Sequence, residues 1–215
     1  MNQTQLMLFP APPFDFGLTA YSHGWVSLIP NRWDEPRKAV QRVERLGTGK
    51  VVFLDMYGNG SIESPQISID VSHEDVLSPV ECSEIQDKVG HMFRLDENFQ
   101  EFYELCRERG GRWQRVTRGL GRLLRSPGMF EDIVKTICTT NIQWGGTRRM
   151  VREIVDAYGE PYTADPAQKA FPTPQAIACE PQEVFLSRVH LGYRGEYVHA
   201  LATLIAQEKL DLAEF

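Results

Sequence analysis

Thr139-Thr140-Asn141-Ile142-Gln143-Trp144-Gly145-Gly146 interrupts one amphipathic helix and opens another, and Leu191-Gly192-Tyr193-Arg194-Gly195-Glu196-Tyr197 makes a second break further along. Each is polar, aromatic and glycine-bearing, and each is flanked by helical periodicity. Upstream of the first break, Phe130, Ile133, Val134, Ile137 and Cys138 follow the i, i+3, i+4, i+7, i+8 spacing of one helix face. Pro127-Gly128 precedes that run, and Glu131 and Asp132 fall in its first turn, where they complement the helix dipole. Downstream, Val151, Ile154, Val155 and Tyr158 resume the period until Gly159. Phe171-Pro172-Thr173-Pro174 caps a further short helix. A last helix, expected from Arg194 to Glu208, buries Tyr197, Val198, Leu201 and Ile205.

The helical pattern begins at Ser78-Pro79-Val80-Glu81, an N-cap serine, a first-turn proline and the glutamate of a capping box. It runs through Met92 and again from Asn98 to Arg109, where Gly110-Gly111 stops it. Before Ser78 the chain reads as β-rich. Residues 24–30 and 50–57 are strand-like runs of β-branched and aromatic residues, and 66–71 alternates as a half-buried strand does. Gly58-Asn59-Gly60-Ser61 is a turn signal that predicts an antiparallel hairpin. Residues 37–46 read as a short helix or an irregular connection, and Pro10-Ala11-Pro12-Pro13 as an extended lead-in. The expected class is α+β: an antiparallel β-rich domain over 14–77, then a helical domain over 78–215.

Composition sets limits on function. The 215 residues are 42% hydrophobic and 24% charged, as in a globular chain with a sizeable core. Cys82, Cys106, Cys138 and Cys179 form no CxxC pair, and His23, His73, His91, His190 and His199 have no ligand spacing, so neither metal nor other cofactor is expected. Gly119-Leu120-Gly121-Arg122 lacks the Lys-Ser/Thr of a phosphate loop, and Ser22-His23 and Cys138 lack an orienting base for nucleophilic catalysis. No apolar run reaches membrane-spanning length and Met1–Phe9 has no basic flank, so a cytoplasmic protein is expected, nucleoid-associated if bacterial. The net charge of −6 argues against nucleic acid until its distribution is read. Residues 111–152 carry nine basic and two acidic groups, a net +7 block in an otherwise acidic chain. Phosphate affinity follows the local field, so Arg118 and Arg122 become candidate phosphate contacts, with a solvated arginine-rich face as the other reading.

The two breaks carry the candidate chemistry. An enzyme acting on a base in duplex DNA rotates it out of the stack, which leaves a hole to plug and a partner base without hydrogen bonds. Asn141 and Gln143 offer planar amides for both tasks, and Trp144 offers a stacking surface. Tyr193 suits a wedge beside a base and Arg194 a base edge or phosphate, with Gly192 and Gly195 allowing close approach. The alternatives are a capping asparagine at a helix junction, and a loop arginine capping a helix beside a core tyrosine.

In order along the chain stand Phe130-Glu131, the break at Asn141, Tyr158-Gly159, Phe171-Pro172-Thr173-Pro174, Gly192-Tyr193-Arg194-Gly195-Glu196-Tyr197 and Leu210-Asp211-Leu212. This series resembles the helical core of the helix-hairpin-helix DNA glycosylases, the base-excision repair enzymes for alkylated or oxidised bases. The resemblance places Asn141 where the 8-oxoguanine branch carries a strand-inserting asparagine and the 3-methyladenine branch an apolar wedge. It places Tyr193 and Arg194 on residues that probe the base opposite the lesion. Gly146 stands where the 8-oxoguanine branch has an arginine, a role for which Arg148 or Arg149 is the substitute. The family's Leu-x-Gly-Val-Gly hairpin, catalytic lysine and aspartate have no counterpart in the sequence. The resemblance therefore implies the N-terminal part of a glycosylase acting on damaged purines in double-stranded DNA. The catalytic segment would be absent and no catalytic residue would lie in this chain. A C-terminal segment or second polypeptide would complete the helical domain. The alternative is a non-catalytic DNA-binding module or one half of a split enzyme.

Overall fold

The computed structural model describes residues 1–212, so the last three positions of the expected 78–215 region lie outside the described residues. Its first part is a five-stranded antiparallel sheet of β1 (Asn2–Leu8), β2 (Arg32–Asp34), β3 (Ala39–Arg45), β4 (Val51–Gly60) and β5 (Pro65–His73), in the order β1-β5-β4-β3-β2. A short helix α1 (Phe16–Ala20), capped by the Asp15 carboxylate, links β1 to β2. Helices follow: α2 (Pro79–Met92), α3 (Gln100–Arg109), α4 (Met129–Thr139) and α5 (Trp144–Tyr158). After the small hairpin β6 (Pro161–Tyr162) and β7 (Asp165–Lys169) come α6 (Pro174–Ala178), α7 (Gln182–Arg188) and α8 (Arg194–Ala206). The expected α+β class, with an antiparallel sheet leading into helices, is what the chain adopts.

The capping box at Ser78 forms as read: the Glu81 N–H donates to Ser78 Oγ, and the Ser78 N–H donates to Glu81 Oε2 at 2.8 Å. Gly110 (φ 60°) and Gly111 (φ 56°) end α3 in the left-handed region, which only glycine enters without penalty. The β4–β5 hairpin also forms, but its strands continue through Gly58, Asn59 and Gly60, which pair with Ile67, Gln66 and Pro65. The turn itself is 61–64.

Three segments differ from their sequence reading. Residues 24–30 are not a strand; Trp25–Ser27 is a 3-10 turn opened by Gly24 at φ 91°. Ser27 Oγ and the Ser27 N–H both bond back to the Gly24 carbonyl, at 2.8 and 2.9 Å. Aromatic and β-branched residues here serve two cores rather than one sheet face: Val26 packs beneath the sheet and Leu28 among the helices. Within residues 37–46 no helix forms: after a turn through 37–38, Ala39–Arg45 is strand β3, paired with β2 and β4. Its buried Arg42 and Glu44 broke the alternation that betrays a strand. Finally, Tyr197 is 62% exposed rather than buried, while Val198 and Ala202 carry the inward face of α8.

Two apolar clusters organise the chain. Under the sheet, Val40, Leu54, Met56, Ile67, Ile69 and Val71 meet Ile85, Val89 and Met92 of α2. That cluster crosses the 77/78 position at which the sequence reading divided the chain. The second cluster joins Val134, Cys138, Met150, Val151 and Ile154 to Phe185, Val198 and Ala202. Between them lies a buried charged network. Arg42 donates to Glu44 Oε2 (2.6 Å) and to Glu131 Oε2 (3.0 Å), and Lys135 donates to Glu131 Oε1 (2.5 Å). Lys88 closes it from α2, 2.7 Å from Glu44 Oε1. Burial alone would raise the Glu131 carboxyl, but Arg42 and Lys135 outweigh it and hold it at about 2. Sheet and α4 are thereby locked in one register.

Candidate nucleic-acid interface

Helix α4 ends in a way that lifts three side chains into solvent. Thr140 closes the helix, its hydroxyl donating to the Ile137 carbonyl at 2.8 Å. Asn141 then turns left-handed at φ 48°, a conformation asparagine tolerates better than most residues. Gln143 leads into α5, its carbonyl accepting from the Gly146 N–H at 2.8 Å. Asn141, Ile142 and Gln143 are all exposed on this corner. The Ile142 side chain folds over Gly146, where an added Cβ would lie 2.4 Å from Ile142 Cγ1. Glycine at 146 is therefore a packing requirement of this corner, and an arginine there is incompatible with Ile142 as placed.

The second break meets the first. The Asn141 amide donates to the Tyr193 hydroxyl at 3.3 Å, and the Thr140 hydroxyl lies 3.3 Å from the same oxygen. These two bonds hold the phenol below its ordinary pKa. Tyr193 is 52% exposed, stands beside Asn141 and packs edge-on against Tyr197. Arg194 does something else. Its guanidinium is buried, donates through Nε and Nη2 to the Thr140 carbonyl and lies over the Tyr193 ring at 4.6 Å. As placed it caps the C-terminus of α4, the arrangement of the helix-capping alternative.

The basic candidates divide in the same manner. Arg118 is exposed on the 3-10 segment Gly111–Arg118, which packs beside α3. Arg122, by contrast, is 4% exposed, donates to the Tyr103 hydroxyl at 3.0 Å and is stacked between Phe14 and Phe99. As placed it is a core cation rather than a surface charge. Arg149 is paired with Glu153 at 2.6 Å, whereas Arg148 is exposed with no side-chain partner among the described residues. Lys135 is buried and Arg125 is paired with Glu97, so the surface field of the 111–152 block is smaller than its net +7.

An aromatic wall beside the corner escaped the sequence reading. His23 stacks on Trp25 (4.9 Å, 22°), and Trp25 lies 6.4 Å from Trp144. Trp144 Nε1 donates to Ser27 Oγ at 3.2 Å and its ring covers Gly24, where a Cβ would stand 3.1 Å away. Trp25 Nε1 donates to Asp132 Oδ1 at 2.8 Å. Burial pushes the His23 imidazole below its ordinary pKa, against the pull of Asp132, which favours the neutral ring. The wall thus runs from the first turn of α4 to the first residue of α5. The signal available was Ser22-His23-Gly24-Trp25, two rings around a left-handed glycine, but only the tertiary fold brings Trp144 to it. Among the described residues no His/Cys/Asp/Glu group has a metal-holding arrangement.

No protein-family model matches the chain. Solved structures do. A 3-methyladenine DNA-glycosylase from Archaeoglobus fulgidus is similar over 92% of this chain and 66% of its own, at 18% identity and TM-score 0.67. The apo form of Clostridium acetobutylicum 8-oxoguanine glycosylase/lyase is similar over 99% of this chain and 68% of its own, at 15% identity and TM-score 0.65. MBOgg1 in complex with a low-affinity DNA ligand is similar over all of this chain and 69% of its own, at 15% identity and TM-score 0.64. The chain spans about two thirds of the length of each. At these identities the likeness concerns the fold, and over the part it spans this chain has the fold of the 3-methyladenine and 8-oxoguanine DNA glycosylases.

Proposed function

We propose that the chain is the lesion-reading part of a base-excision DNA glycosylase, one that everts a damaged purine from duplex DNA before its N-glycosidic bond is broken. The observation that carries this reading is the corner at Asn141-Ile142. An amide in a left-handed turn and an isoleucine that lies over Gly146 yet remains exposed stand side by side on a junction fixed at both ends. Arg194 and Tyr193 hold it on one side. The Arg42–Glu131–Lys135 network anchors the far end of α4. A plug must be rigid to compete with base stacking, and these contacts supply the rigidity. Asn141 offers hydrogen bonds to the orphaned base, Ile142 the apolar bulk that fills the hole, and Gln143 a second amide. The His23–Trp25–Trp144 wall gives the everted base a stacking surface, a contact worth roughly 1–3 kcal/mol per base. Arg118 and Arg148 supply phosphate attraction that falls with salt. A non-catalytic DNA-distortion reader, or one half of a split enzyme, would use the same corner.

The test is a duplex with 2-aminopurine beside an alkylated or oxidised purine, mixed with the full chain. Binding raises the fluorescence as the neighbouring stack opens, and Asn141→Ala with Ile142→Ala abolishes most of the rise. A double variant that binds and brightens the probe as the parent does would remove the plug assignment.

A further inference from the structure

Helix α5 carries a second feature, which shares Trp144 and Arg148 with the reading above and adds Arg152, Asp156 and the cavity beside them. Trp144, Arg148, Arg152 and Asp156 recur every four residues and so lie along one face. Beyond Trp144 this face borders a cleft of about 420 Å³ lined on its other sides by residues of β2, the 3-10 turn and β7. That volume falls in the range of small-molecule sites, roughly 300–1,000 Å³. Arg148 and Arg152 are exposed and have no side-chain partner among the described residues. Lys169 and Arg32 add positive charge, although Lys169 Nζ donates to the Asp156 carbonyl and Arg32 to Gln41. Two unpaired guanidiniums four residues apart on one helix form a fork for an oxyanion.

The cavity is not built for a simple anion. Trp33 and Tyr21 line it, and Trp33 is held in place by Tyr21 edge-on at 4.8 Å and by Phe16 stacked at 6.5 Å. At the far end of the α5 wall stands the Asp156 carboxylate, which would repel a second anionic group and accept from hydroxyl or amine donors. An oxyanion at one end, an apolar aromatic wall between and a hydrogen-bond donor at the other describe one chemical class. We propose that this cavity binds a nucleoside monophosphate unit. Its phosphate sits on Arg148 and Arg152, its base lies against Trp33 and Tyr21, and a sugar hydroxyl or base amine meets Asp156. The unit is supplied either as a free nucleotide or as the 5′-phosphorylated end of a DNA strand.

Calorimetric titration of the full chain at fixed ionic strength tests this, with a purine nucleoside 5′-monophosphate, the matching nucleoside and inorganic phosphate as probes. The monophosphate is expected to bind at least tenfold more tightly than either fragment. Arg148→Glu with Arg152→Glu is expected to weaken it at least tenfold at an unchanged melting temperature, whereas Asn141→Ala leaves it unaltered. Equal binding of monophosphate and inorganic phosphate, or monophosphate binding that survives the double charge reversal, overturns the proposal. A duplex with a 5′-phosphorylated single-nucleotide overhang separates the sources. If it binds more tightly than the free nucleotide and is displaced by it, the strand end is the ligand; if it binds no better than a blunt duplex, the free nucleotide is. Base eversion is read through the Asn141 and Ile142 variants and nucleotide binding through the Arg148 and Arg152 variants, so failure of one leaves the other standing.

Discussion

Glu131→Gln should destabilise the protein strongly at neutral pH and progressively less as the pH rises. Glu131 is buried between Arg42 and Lys135, both with fully buried side chains. The substitution leaves two buried cations with less negative charge. Arg42 retains Glu44 at 2.6 Å and Asn31 at 2.9 Å, so it stays satisfied. Lys135 retains Ser126 Oγ at 3.3 Å and no carboxylate contact. Removing one partner of a buried ion pair costs about 3–5 kcal/mol, which for a chain of this size lowers the melting temperature by roughly 10 °C. The pH dependence identifies the cause. Burial already pushes the Lys135 ammonium below its ordinary pKa while Glu131 pulls it up, so losing Glu131 lowers it further. Below that lowered folded pKa the unfolded and folded chains bind the same proton. Above it, and up to the ordinary lysine value, the unfolded chain binds more, so stability climbs with pH. Urea unfolding at pH 7 and pH 9.5 measures both effects. A loss under 1 kcal/mol at pH 7, or one that does not shrink at pH 9.5, would refute the argument. Replacing Arg42, Glu131 and Lys135 together by Met, Leu and Met is expected to be far milder than Glu131→Gln, since no charge is left buried alone.

Arg122→Ala should lower stability and leave the salt dependence of DNA binding intact, because its guanidinium is spent on Tyr103, Phe14 and Phe99; Arg118→Ala should do the reverse, and a salt titration of binding with a thermal melt separates them. Acid should unfold the chain between about pH 4.5 and pH 2. Glu81 is held at about 2 by the Ser78 N–H, Thr48 and Lys50, and Glu131 at about 2 by its cations against burial. The stability these depressed carboxyls contribute is complete above their unfolded value and disappears as pH falls through the folded one, about 3 kcal/mol for Glu131. A circular-dichroism titration of Glu81→Gln should show an acid transition that has lost only the part that Glu81 contributes, with the Glu131 part retained. Gly146→Arg should reduce the preference for damaged duplex rather than improve it, since the new side chain displaces Ile142; an unchanged or higher preference in a binding competition counts against the packing argument.

Much of the helical half was legible because its signals are local. The Ser78 capping box, the Gly110-Gly111 stop and the Thr173 cap depend on residues within one turn, and each forms. Strand β3 was not legible, because its even positions Arg42 and Glu44 are polar for a tertiary reason: Arg42 pairs with Glu131 of α4 and Glu44 with Lys88 of α2. Residues 24–30 misled for a related reason: their apolar side chains divide between two cores instead of covering one sheet face. At the candidate interface, the meeting of Asn141 with Tyr193 was readable as two breaks of matching chemistry. Helix capping by Arg194 was one of two readings the sequence left open, whereas the burial of Arg122 was not legible, because a charged residue in a sequence argues for exposure. Each ends inside the fold, one on a helix carbonyl and one on a phenol.

The central claim is that the Asn141-Ile142 corner recognises a hole in the stack rather than duplex DNA as such. The most direct measurement is the ratio of dissociation constants of the full chain for an undamaged duplex and for the same duplex carrying an abasic-site analogue, at matched ionic strength. The account predicts a ratio of about ten or more, equivalent to roughly 1.4 kcal/mol, that collapses towards one with Asn141→Ala and Ile142→Ala together. A parent ratio near one, or a ratio that the double substitution leaves unchanged, would contradict it.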